Sequence, residues 1–166
     1  MPRRSPTGPD DADLAAVVDA IRRILHTLRS SARQAEARAG VTGAQLFVLQ
    51  TLAEAPAASL NELAGRTLTH QSTVSVVVNR LVRRGLVLKR RAADDARRVE
   101  LRLSPNGRAL VRRSPQAAQG RLIDGLRALP RGEAGELARL LRRLTRTMGA
   151  THESASMFFE DDGGRG

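Results

Sequence analysis

Cysteine, tryptophan and tyrosine are absent from the 166-residue chain, and three phenylalanines hold the aromatic content to 2%. Without a thiol, disulfides, thiolate metal sites and thiol redox sensing are excluded together. The shortage of rings removes the stacking platforms on which single strands and many RNAs are read. Lysine is nearly missing as well: Lys89 is the only one, so arginine carries the positive charge. No segment approaches the ~20 apolar residues needed to cross a bilayer. The basic start, Met1-Pro2-Arg3-Arg4, has no apolar run behind it. A cytoplasmic protein with no membrane partner is expected, nucleoid-associated when bound to DNA.

What the chain has in excess is positive charge, with a formal net value of +11. Arginines that neutralise phosphates release condensed counterions, so the balance points to nucleic acid or an acidic membrane surface. Biased codon usage also enriches Arg and Ala, and position must therefore decide. With stacking residues scarce, duplex DNA is the better polyanion. A 41% hydrophobic content fills one compact domain and leaves little for a second core.

Enzyme chemistry finds no foothold. His26, His70 and His152 lack metal-ligand spacing, and no Gly-rich phosphate loop is present. The acid pairs Asp10-Asp11, Asp94-Asp95 and Asp161-Asp162 fall in expected loops or tails, where solvated charge explains them better than acid–base work. No catalytic residue, cofactor or metal is expected.

Periodicity organises the middle of the chain. Leu14, Val17, Val18, Ile21, Ile24, Leu25 and Leu28 mark a long amphipathic first helix. Thr42 and Gln45 form a capping box, opening a helix with Leu46, Leu49 and Leu52 on one face that stops at Pro56. Ser59 and Glu62 form a second box, opening a short helix expected to end at Gly65. Val74, Val77, Val78, Leu81 and Val82 then repeat at helical spacing up to Gly85. Two short helices across a tight turn predict a helix-turn-helix.

The period next changes to two. Leu86 to Arg90 reads as a strand, and Val99, Leu101 and Leu103 alternate with charged residues, so Ala92 to Ala96 is the expected hairpin turn. Ser104-Pro105 supplies an N-cap with proline at the first helical position, and Pro115 is expected to kink or split the helix that follows. After Pro130, Leu137, Leu140, Leu141, Leu144 and Met148 predict a last amphipathic helix. The fold class expected is mainly α with a small β-hairpin wing.

In a helix-turn-helix the second helix lies in the major groove, which requires an apolar inner face and an outer face of short polar groups and arginine. With the valines and Leu81 turned inward, His70, Gln71, Ser72, Thr73, Ser75, Val76, Asn79 and Arg80 fall outside or at the helix start. Gln or Asn suits adenine, Arg suits guanine or phosphate, and hydroxyls suit either. Lys89, Arg90 and Arg91 enter the hairpin, and Arg97 and Arg98 leave it. A basic tip of this kind fits a narrow minor groove. Asp95 is the candidate for orienting that tip, by holding Arg97 or a neighbouring arginine.

These residues resemble the MarR (multiple-antibiotic-resistance regulator) family of winged helix transcription factors. The likeness runs from the first helix to the last. It is most specific in Ser72-Thr73-Val74-Ser75 through Arg80-Leu81, in Gly85-Leu86-Val87, in Asp95-Ala96-Arg97, and in Leu103-Ser104-Pro105-Asn106-Gly107. The resemblance implies a homodimer with interlocked terminal helices on a pseudo-palindromic operator. Carried over by position, it places Ser72, Thr73, Ser75 and Arg80 at the major groove and Arg97 at the minor groove. Many relatives have arginine where this chain has Val76, so a thymine methyl becomes the expected contact there.

The resemblance also implies a ligand-responsive repressor released by a small aromatic or phenolic acid. His26, beside Arg22 and Arg29 on the first helix, is the candidate anion-binding residue, the alternative being an ordinary surface or packing histidine. The organisation expected is a disordered or extended segment over 1–11, a domain over 12–148 and a flexible tail over 149–166. Within the domain, a DNA-binding lobe over about 42–104 sits between dimerisation helices over about 12–38 and 105–148. The alternative to a sequence-specific regulator is a DNA-compacting or scaffold protein that uses the same basic surface without sequence preference.

Overall fold

The computed structural model describes residues 10–91 and 99–150. In chain order these form α1 (Asp11–Ala39), α2 (Gly43–Glu54), α3 (Leu60–Thr67), α4 (Gln71–Arg83), β1 (Val87–Arg91), β2 (Val99–Leu103), α5 (Pro105–Arg113), α6 (Ala118–Arg127) and α7 (Glu133–Thr147).

Helix α2 is the centre of the lobe. Its capping box forms as the sequence predicts: Gln45 N–H donates to Thr42 Oγ1 at 3.2 Å, and Thr42 N–H donates to Gln45 Oε1 at 3.4 Å. The expected single apolar face is corrected, because Ala44, Gln45, Leu46, Phe47, Val48, Leu49, Thr51 and Leu52 are all buried. Helices α1, α3, α4, α5 and α6 and strand β2 all pack on it, so the helix is covered over most of its surface, with Ala53 and Glu54 left exposed at its end. Thr51 is compatible with that burial because its hydroxyl donates to Phe47 O. The carbonyls left at the C-terminal end of α2 are met by Arg66, whose guanidinium donates to Thr51 O and, at 2.8 Å, to Ala55 O.

Helix α3 departs from expectation at both ends. Ser59 caps it by accepting from Glu62 N–H, but the Glu62 carboxylate reaches past Ser59 to accept from Ala58 N–H at 2.7 Å, so the box is not reciprocal. The helix also runs through Gly65 to Thr67. The buried Thr67 hydroxyl donates back to Leu63 O, and the left-handed turn falls on Leu68, with φ of 52°. Thr69 N–H then closes on Ala64 O, an ending of the Schellman type.

Helix α4 buries Val74, Val77, Val78 and Leu81. Each such side chain contributes roughly 1.5–3 kcal/mol, which fixes the rotation of the helix about its axis. Gly85, with φ of 67°, turns the chain into β1, which pairs antiparallel with β2 in the register Val87↔Leu103, Lys89↔Leu101 and Arg91↔Val99. Ala57 adds a one-residue bridge to Leu101. The hairpin turn expected over Ala92 to Ala96 lies outside the described residues.

Ser104 joins hairpin to helix: its Oγ accepts from Gly107 N–H at 2.9 Å and donates to Gly85 O at 2.7 Å. Pro115 splits the expected long helix into α5 and α6. The segment between them is held by Gln50, which donates to Pro115 O and accepts from Ala117 N–H, both at 2.8 Å, and by Ser31 Oγ, which accepts from Ala118 N–H.

A side chain at Gly107 meets backbone, since a Cβ there lies 2.1 Å from Leu86 O. Gly107→Ala is therefore expected to lower the unfolding free energy by about 2–3 kcal/mol, read by denaturant titration at fixed protein concentration. An unchanged midpoint would mean that α5 is not seated on Leu86 in this way.

Candidate nucleic-acid interface

The geometry of α4 follows from its burial pattern. With the valine and leucine stripe at 0% exposure, His70, Gln71, Ser72, Val76 and Asn79 are exposed, and Thr73, Ser75 and Arg80 are half-buried at the edges of that face. Ser72, Ser75, Val76 and Asn79 follow the i, i+3, i+4, i+7 spacing and so line one edge of the helix. Among the described residues, the side chains of His70, Gln71, Ser72, Thr73 and Ser75 form no hydrogen bond within the protein, which leaves their donors and acceptors for an outside partner.

The N-terminus of α4 is suited to an anion. His70 occupies the N-cap without a side-chain cap bond, and the first turn holds no acidic residue. The backbone N–H groups and the positive end of the helix dipole therefore meet no competing carboxylate from the first turn. At the other end, Arg84 Nη1 donates to Gln45 Oε1 at 3.1 Å. This contact ties the end of α4 to the capping box of α2.

Asn79 faces outward as the sequence predicts, and it also has a partner within the protein. Lys89 of β1 donates to its Oδ1 at 2.6 Å. Register explains the contact: Lys89 lies opposite the buried Leu101 and in phase with Val87, on the sheet face turned toward α4. On β2, Glu100 and Arg102 pair at 2.7 Å, and the bond to Glu100 holds the Arg102 guanidinium above its usual value. Arg102 stays charged in either case.

The wing candidates Asp95, Arg97 and Arg98 lie outside the described residues, as does the side chain of Arg91. His26 is exposed on α1, where it lines a cleft of about 480 Å³ with Ser30, Gln34, Pro115, Gln116 and Arg121. The volume is that of a small-molecule site. Arg121, which pattern reasoning did not single out, brings a cationic group to the same cleft. Among the described residues, no group of three or more His, Asp or Glu is placed to hold a metal, and no helix is long and apolar enough to cross a membrane.

Two short helices across a tight turn, followed by an antiparallel hairpin that packs on the second, define a winged helix-turn-helix. Comparisons place it within that class. A family model described as MarR family matches residues 39–98. A transcriptional regulatory protein for the hcr operon of Thauera aromatica is 33% identical over 118 residues, 71% of each chain. The chain belongs to the MarR family, whose members are transcriptional regulators and not enzymes.

Solved structures agree. A probable transcriptional regulator from Pseudomonas aeruginosa is 30% identical with a TM-score of 0.51, covering 77% of this chain and 96% of that one. BpsR of Bordetella bronchiseptica, described as regulated in its DNA binding by 6-hydroxynicotinic acid, is 28% identical with a TM-score of 0.52, covering 78% and 98%. A MarR family protein from Bacillus stearothermophilus is 25% identical with a TM-score of 0.53, covering 86% and 99%.

Val76 is 46% exposed and its neighbours on that face are polar, so Val76→Arg is expected to leave the unfolding midpoint within about 0.5 kcal/mol of the parent. The same variant is expected to select a different base from a randomised operator. A large loss of stability would show that Val76 packs within the protein instead of facing outward.

Proposed function

We propose that this regulator is a ligand-responsive repressor that binds a pseudo-palindromic operator as a homodimer and reads its sequence through α4. The observation that carries the reading is the two-sidedness of α4: one side is locked into the core, and the other holds hydroxyls, carboxamides and one exposed valine, groups suited to base edges. A protein that only packages DNA has no need of such a face. Arg97 and Arg98 are proposed to enter the flanking minor groove, with Asp95 orienting them and Arg91 on the adjacent backbone.

Dimerisation is proposed from what the single chain leaves uncovered. On α1, Leu14, Val17, Val18, Ile21, Ile24 and Leu25 are exposed, and on α7 so are Leu140, Leu141, Leu144 and Met148. Helix α7 buries none of its residues. Apolar stripes this extensive, on the first and last helices, mark an association surface.

The effector proposed is a small aromatic or phenolic acid held in the cleft lined by His26 and Arg121. Its carboxylate would be matched by the arginine, and the cleft lies between α1 and the segment joining α5 to α6, where dimer arm and lobe meet. The regulation of BpsR by an aromatic acid supports this choice of chemical class. To act as an effector, the acid must favour a dimer whose two α4 helices are wrongly spaced for successive major grooves, which lie about 34–36 Å apart.

Salt-matched affinities decide between regulator and packaging protein. A specific-to-random ratio of about 10³ or more is expected, with a dimer in sedimentation at micromolar concentration. A ratio near one, or a monomer, would contradict the reading. Arg97→Ala is expected to weaken binding on all sequences and to flatten its salt dependence. For the effector, a panel of aromatic carboxylates should contain one that releases DNA, and Arg121→Ala should raise the concentration required by about tenfold. Release by none of the panel would rule out this class.

A further inference from the structure

We propose that Lys89 sets the base preference of Asn79, converting a side chain suited to adenine into part of a donor-only pair that selects guanine. The inference rests on the regulator reading above and adds to it a residue, Lys89, that reads sequence from the wing strand through its hold on the recognition helix.

An asparagine that reads adenine uses both ends of its carboxamide: Nδ2 donates to N7, and Oδ1 accepts from the N6 amino group. In this protein Oδ1 is already engaged, with Lys89 Nζ 2.6 Å away. The orientation of the amide is chemically required, since an ammonium has three donors and no acceptor, so only the oxygen can face it. A second lone pair remains on Oδ1, but an adenine amino group brought there meets the remaining N–H bonds of the ammonium, donor against donor.

What the pair presents outward is therefore Nδ2–H from Asn79 and N–H from Lys89. Guanine is the base whose major-groove edge offers two acceptors, N7 and O6, and no donor. The pair matches that edge and mismatches adenine.

Placement supports the same conclusion. Asn79 continues the edge formed by Ser72, Ser75 and Val76, one turn nearer the hairpin, and is exposed there. Lys89 is held on the α4-facing side of β1 by strand register, opposite Leu101. It is the only lysine in a chain of arginine cations. A compact ammonium on a flexible stem bonds the single carboxamide oxygen without the planar fork that an arginine would present.

The test is selection of bound duplexes from a randomised operator by the full chain, Lys89→Met and Asn79→Ala, all at one salt concentration. The parent is expected to take guanine at one position in each half-site. Lys89→Met frees Oδ1, so the guanine-to-adenine affinity ratio at that position should fall at least about tenfold, with other positions unmoved. Asn79→Ala should abolish discrimination at the same position. Thermal unfolding of both variants is expected to match the parent, because both side chains are exposed.

If Lys89→Met weakens binding on every sequence alike and leaves base composition unmoved at each position, Lys89 is a phosphate contact and the inference fails alone. It also fails alone if the parent takes adenine at the position that Asn79→Ala relaxes. If the parent selects no sequence at all, the regulator reading fails and the inference goes with it.

Discussion

A helix buried over most of its surface leaves its neighbours little choice. Each element packed on α2 must present an apolar side, and α4 does so through Val74, Val77, Val78 and Leu81. Burial of that stripe fixes the rotation of α4, and rotation decides which residues face outward. The surface proposed to read DNA is thus a consequence of core packing. Gln45 shows how closely the two are joined, since it both caps α2 and receives Arg84 from the end of α4.

The periphery obeys a different rule. Helices α1 and α7 carry apolar stripes that the single chain does not cover, while the net charge of +11 opposes bringing two copies together. In the proposed complex a partner chain meets the first need, and DNA phosphates offset the second. The cleft at His26 and Arg121 lies between these regimes, bordered by α1 and by the 115–121 segment that Gln50 and Ser31 fasten to the lobe. A ligand there would touch the joint through which the proposed dimer arms set the position of each lobe.

Much of this was legible in the residues. Period marked α1, α2, α4, α7 and both strands, cap residues marked α3 and α5, and Pro115 marked the break before α6; the caps at Thr42 and Ser104 formed as their residue types require. The misses share a physical origin. Gly65 looked like a helix end, yet the turn fell on Leu68 because the buried Thr67 hydroxyl could bond back into the helix. The polar residues Gln45 and Thr51 disguised the extent of burial of α2, since each finds its partners inside the protein. Lys89 with Asn79 is a meeting between a strand and the helix before it, and Arg121 with His26 is one between distant parts of the chain. Local pattern contains no term for them; strand register and the split at Pro115 bring them about.

The central claim is that the outward side of α4 lies in a major groove, once per subunit. Methylation interference at guanine N7 on the selected operator reads that groove directly. The account predicts two clusters of interfering guanines, related by the operator's symmetry, with centres one helical turn of about 10–10.5 base pairs apart or a multiple of it. Binding unaffected by methylation at guanine N7, or interference spread evenly without phase, would contradict it.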